Sequence, residues 1–193
     1  MPPKCKFTKE QIVQAALEIA KNGGMSSVTA RGVGAWLNSS SKVIFGFFQN
    51  MDELQDEVVN AAYKLYQSYI SEDIEKGEYP PYKASGMAYI RFAREQKELF
   101  KILFMCDRTN KAIAADDHWR DIISLVESCT NLNNKEANKL HLEMWVFVHG
   151  IATMIATSYL VLDEEHISNM ITDIFFGLKS TYGVSDIEGG TNK

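Results

Sequence analysis

The chain has 193 residues, of which 46% are apolar and 23% charged, and a net charge of −5. That length can bury one sizeable core, or a small domain plus a larger one, and the composition excludes an unstructured polymer. No apolar run approaches the roughly 20 residues that span a bilayer, and Met1 to Lys9 carry no signal-peptide apolar region, so a cytoplasmic protein without membrane contact is expected.

Helical periodicity runs from end to end. In a first helix Val13, Ala16, Leu17 and Ala20 fall at i, i+3, i+4 and i+7, and Gly23-Gly24 supply the stop. Thr29 is suited to cap a second helix whose inward face would be Val33, Trp36 and Leu37. Asn38-Ser39-Ser40 form a polar turn, and Ser40 can cap a third helix through Ser41, Lys42, Ile44 and Phe45. Asn50 or Asp52 begins a long helix to about Lys76, with Leu54, Val58, Ala61 and Leu65 on one stripe, broken by Gly77 to Pro81. Beyond the break, helices are expected at Tyr82–Gln96, Glu98–Cys106, Ala112–Asn131, Lys135–Leu162 and Glu164–Tyr182, with a frayed polar end from Gly183. No alternating strand pattern occurs, so the fold class is all-α.

Two short helices around a polar turn, followed by a long one, are the layout of a helix-turn-helix that holds a recognition helix against DNA. Charge is divided accordingly. Residues 1–51 carry Lys4, Lys6, Lys9, Lys21, Arg31 and Lys42 against Glu10 and Glu18, a balance of +4; residues 52–193 balance at −9. A basic head on an acidic body attracts phosphate while the body stays solvated. The expected organisation is therefore a DNA-binding domain over residues 1–51 and a helical body over residues 52–193.

The last two helices carry the most regular apolar steps: Trp145, Val148, Ala152, Ile155, Tyr159 and Leu162, then Ile167, Ile171, Ile174 and Leu178. These are coiled-coil-like seams, and two such hairpins from two chains would close a four-helix bundle. Ile155, Tyr159, Ile171, Ile174 and Leu178 are the candidate dimer residues; the alternative is a stripe packed against this chain's own core.

Thr29-x-Arg31, the small-residue helix, the serine-containing turn, Ile44-Phe45-Gly46-Phe47-Phe48 and Asn50-x-x-x-Leu54 resemble the TetR/AcrR transcriptional regulators, over Phe7 to Leu65 or roughly a third of the chain. Trp145-x-x-x-His149-Gly150 is similar to the Trp-His-Gly element in the ligand-binding domain of one branch of that family. The resemblance implies a homodimer with an N-terminal head on double-stranded DNA and a C-terminal body that binds a small effector. It places Thr29 and Arg31 at phosphates, and Ser40, Ser41 and Lys42 at base edges or the backbone. Phe45 stands where many members have Tyr, Phe47 at a frequent His and Met51 at a frequent Lys, each removing a polar or cationic backbone contact. Leu37 and Asn38 replace a small residue and Gly in the turn; Asn tolerates the left-handed conformation a turn needs.

Each candidate has a second reading. Lys42 reads as a DNA contact or a solvated lysine, and Arg31 as a phosphate contact or the partner of a nearby acid. Phe45 and Phe47, with Phe48 and Trp36, read as core before they read as DNA contacts. In the body, Phe100, Phe104, Trp119, Trp145, His149 and Met154 are the candidate effector contacts, since aromatic and methionine-rich helices can leave an adaptable apolar cavity; a close-packed core is the competing reading. His118, His141, His149 and His166 show no His-x-x-x-His or Glu-x-x-His pair. No cofactor or metal is implied and no enzyme is expected. Cys5, Cys106 and Cys129 lack metal-ligand spacing and read as reduced thiols. The functional expectation is a regulator, most simply a repressor released from a palindromic operator by a small hydrophobic effector. The alternative is a helical protein-interaction or ligand-binding protein with a weakened DNA-binding head.

Overall fold

The computed structural model describes residues 7–107 and 115–183, with the backbone alone at 115–118. Lys4, Lys6, Cys5, the His118 side chain, the expected helix start at Ala112 and the expected fraying beyond Gly183 therefore lie outside the described residues. The fold is all-helical, with no strand among the described residues.

α1 (Lys9–Gly23) opens with a capping box, in which Thr8 accepts from the Gln11 amide and the Gln11 side chain accepts from the Thr8 amide. Gly24, at φ 70°, ends it. α2 (Ala30–Trp36) is capped by Thr29, whose hydroxyl accepts from the Gly32 amide at 3.1 Å. The chain then turns through Asn38 at φ 48°, the left-handed position that the sequence offers an asparagine to fill. Ser41–Gly46 follows as a 3₁₀ helix, not the α-helix its spacing suggests. α3 (Met51–Lys76) starts at Asn50, whose side chain accepts from the Glu53 amide. α4 (Pro81–Glu95), α5 (Lys97–Phe104), α6 (Ala115–Thr130), α7 (Asn134–Ala156) and α8 (Glu164–Thr181) complete the order. α7 ends six residues before the expected Leu162, because Ser158 adopts φ 59° and the Tyr159 and Leu160 amides donate to the Met154 carbonyl.

The chain divides into two compact units, and both α3 and α4 contribute to each. Residues 7–69 and 91–107 form the first. Here α1 packs on α2 and α5, and Ile12, Val33, Ile44, Leu54 and Phe92 are fully buried. Lys9 ties α1 to α3 through Glu57 at 2.6 Å. Aromatic edges fill the remainder: Tyr66 meets Phe92 at 5.4 Å and Phe104 at 5.1 Å, and Phe100 meets Phe104 at 5.2 Å between centroids. At the end of this unit Tyr69 donates to Glu95, accepts from Gln96, and lies under the Arg91 guanidinium at 4.1 Å. The second unit holds residues 70–90 and 115–183, in which α7 packs on α6 and α8 around Leu140, Val148, Ala152, Ile167 and Ile171.

Candidate nucleic-acid interface and body site

Gly34 sets the geometry of the head. A Cβ there would lie 2.9 Å from the Ser41 amide nitrogen and 3.1 Å from the Ser39 carbonyl oxygen, so the Ser39–Ser41 backbone rests directly on α2. That close approach moves the buried side of α2 to Val33 and Gly34. It corrects the expected inward face, because Leu37 is only half-buried and Trp36 is 55% exposed. In the 3₁₀ segment and its two flanking residues Ile44 is buried, Val43 and Phe47 are half-buried, and Ser40, Lys42, Phe45 and Gly46 face out, with Ser41 between. Phe48 is core as expected; Phe45, at 52% exposure, is not.

Cations on the head are not equivalent. Lys9 is held by Glu57, and Lys21 by Glu18 at 2.7 Å. The Lys9–Glu57 hydrogen bond raises the lysine pKa and lowers that of the carboxyl, so both stay charged. Arg31 and Lys42 are exposed, and among the described residues no carboxylate pairs with either. Thr29 is exposed at the α2 start, with its hydroxyl oxygen engaged by the Gly32 amide. All seven candidate DNA contacts thus belong to one unit, and five of them (Thr29, Arg31, Ser40, Lys42 and Phe45) are open to solvent.

The effector candidates do not form one group. Phe100 is fully buried and Phe104 half-buried in the first unit, where the two rings meet, while the other four belong to the second unit. In the second unit, Trp145 stacks on His149 one turn later, at 5.0 Å and 20° between planes. Tyr89 of α4 meets His149 Nδ1 at 2.8 Å, and Thr153 lies 3.4 Å from Nε2. A second pair repeats the pattern: Tyr82 meets His141 Nδ1 at 3.0 Å, with Trp119 against the same imidazole at 4.4 Å and donating to Asn138. Burial pushes the Tyr82 phenol well above its ordinary pKa, so the hydroxyl keeps its proton. Tyr82, Tyr89 and His141 were not singled out in the sequence. Their signal is a tyrosine pair seven residues apart on one helix and a histidine pair eight apart on another, both one-face spacings. Met154 is exposed and outside these contacts.

The expected seam divides between an inward and an outward face. Ile155 and Ile171 are buried within their own unit, while Ile174 is exposed, Leu178 half-buried, and Tyr159 exposed in the link after α7. The outward apolar stripe of α7 is Leu142, Val146 and Met154, with Gly150 filling the fourth place at the same four-residue step. On α8 it is Met170, Ile174 and Leu178. A Cβ at Gly150 would meet nothing within 4 Å.

Residues 82–173 match the family model described as tetracyclin repressor-like, C-terminal domain. This segment is a TetR-like C-terminal domain. Trp145, His149 and Gly150 fall within it, as do both tyrosine–histidine pairs. The TetR/AcrR likeness of the head is thus joined to a TetR-like body in one chain. No curated protein matches the chain. No helix among the described residues is long and apolar enough to cross a membrane.

Proposed function

We propose that the protein is a ligand-responsive transcriptional regulator that binds double-stranded DNA as a homodimer. One observation carries the reading: a helix-turn-helix head with Ser40, Lys42 and Arg31 turned to solvent, on the same chain as a TetR-like C-terminal domain. Each head offers its Ser41–Gly46 segment to a major groove. Two heads then require a roughly palindromic operator with half-site centres about 34–36 Å apart, or a multiple. Lys42 reads base edges; Arg31 and the Thr29 hydroxyl hold phosphates.

The second copy docks on the outward stripe of α7 and α8. Val146 and Met154 would otherwise remain in water, and bare Gly150 lets a facing helix come close. The effector is a small hydrophobic molecule recognised at the Trp145–His149–Tyr89 cluster, where aromatic faces supply contact and the imidazole supplies a polar tip. α3 contributes to both units and transmits the change. An effector that takes operator-competent dimers from 99:1 to 1:99 must prefer the other conformation by about 5.5 kcal/mol. Release of DNA by the effector, and hence repression, is the form we adopt.

Selection of bound fragments from random DNA at two salt concentrations tests the reading. An inverted repeat is expected. No enrichment at low salt would contradict it, and would favour the protein-binding alternative, which the exposed indole of Trp36 on the head supports.

A further inference from the structure

The 3₁₀ form of the reading segment has a consequence for sequence recognition. With 3.0 residues per turn, side chains at i and i+3 lie over one another, whereas in an α-helix they diverge by about 60°. Within Ser41–Gly46 the two large exposed side chains are Lys42 and Phe45, at that separation. One ammonium and one phenyl ring therefore leave the segment in the same direction, about 6 Å apart along its axis at roughly 2.0 Å per residue. Among the described residues Lys42 has no carboxylate partner, and the Phe45 ring is 52% exposed although its neighbours Ile44 and Phe48 are buried. Gly46 follows without a side chain to hold a duplex away, and a Cβ there would meet nothing within 4 Å.

We propose that Lys42 and Phe45 act as one reading pair, in which the ammonium bonds the N7 and O6 acceptors of a guanine and the ring packs on the 5-methyl group of a thymine nearby. The inference rests on the DNA-binding reading above and adds to it the base composition of the half-site. In the major groove guanine alone shows two adjacent acceptors, and thymine alone shows a methyl group. A phenyl ring has no donor for a phosphate, so its exposed face gains most from the one apolar feature that base edges offer. Axial separation of about 6 Å against about 3.4 Å per base pair puts the two contacts within two base pairs of each other.

The test uses the operator obtained by selection, with each thymine of a half-site replaced in turn by deoxyuridine and each guanine by 7-deazaguanine. Deoxyuridine removes only the methyl group. At one thymine per half-site it is expected to weaken the wild-type protein roughly three- to fivefold per half-site, the worth of one buried methyl. Phe45→Ala should bind the parent operator more weakly and be indifferent to that same replacement, while Phe45→Leu should keep part of the sensitivity. 7-Deazaguanine within two base pairs should weaken the wild type and leave Lys42→Ala unaffected. The pairing is overturned if no thymine methyl matters while Phe45→Ala still weakens binding, which would put the ring on the sugar-phosphate backbone. It is equally overturned if the sensitive guanine and thymine lie more than two base pairs apart. Failure to select any operator is a different result, and it removes the DNA-binding reading itself.

Discussion

Single residues decide where charge is available. Of the described cations on the head, Lys9 and Lys21 are committed to Glu57 and Glu18, which leaves Arg31 and Lys42 as the cations the proposed DNA contact would use. With few phosphate contacts, the salt dependence of binding should be shallow. Arg31→Ala is expected to weaken the dimer on every sequence alike and to reduce the slope of log K against log salt by about 2, about 0.9 for each of two heads. An unchanged slope would remove Arg31 from the interface. Another residue pair sets a pH window. Asp163 caps α8 by accepting from the His166 amide, and it also holds the His166 ring nitrogen at 2.8 Å. Those hydrogen bonds lower the Asp163 pKa, and the carboxylate raises that of His166. The aspartate contribution is therefore present above the ordinary carboxylate pKa and lost as pH falls through the lowered value. The histidine contribution is present below its ordinary pKa and lost as pH rises through the raised one. Both act between about pH 4 and 6.5. Asp163→Asn keeps a capping oxygen but no charge. Its melting temperature should fall short of the wild type most within that window, and parallel pH profiles would contradict the pairing.

At the scale of elements, the sequence was clearest where a helix carries its own start and stop. Gly23-Gly24, Thr29, Asn38, Asn50 and Gly77 mark boundaries by local backbone chemistry, and each stands at or beside the boundary it marks. What it concealed depended on a neighbour. Trp36 follows Val33 at helical spacing, yet Gly34 admits the Ser39–Ser41 backbone and draws the packing to its own side. The same contact makes a prediction. Gly34→Ala gains about 1 kcal/mol of helix propensity but drives a methyl against backbone, an overpacking cost of about 1–3 kcal/mol. The clash should win, lowering hydrogen-exchange protection in α2 and weakening DNA binding, whereas a stabilised head would contradict the close approach. Tyr69→Phe tests the contact between α3 and α4 within the first unit. Its ring stays under Arg91 while the bonds to Glu95 and Gln96 are lost, for about 1 kcal/mol in urea unfolding with an unchanged m value. No loss would mean that solvent replaces both bonds.

For the whole molecule, α7 shows why periodicity alone does not single out an outward seam. The helix is apolar on two sides: Met144, Val148, Ala152 and Ile155 face its own core, and Leu142, Val146 and Met154 face out. Steps of three and four residues describe either stripe equally well, and only the fold shows which one α6 and α8 already cover. We therefore expect Val146→Asp, at a site 59% exposed, to yield monomers in sedimentation without loss of helix content. An intact dimer would move the interface elsewhere. The effector group divided for a related reason, since Phe100 and Phe104 share the aromatic character of Trp145 and His149 but belong to a different core. Pairing of chains and reading of DNA meet in one experiment, the sedimentation stoichiometry of the protein on its selected operator at low salt. The account predicts two chains on each inverted repeat, with cleavage protection centred on half-sites about 34–36 Å apart or a multiple of that. One chain per duplex, or no complex at all, would contradict it.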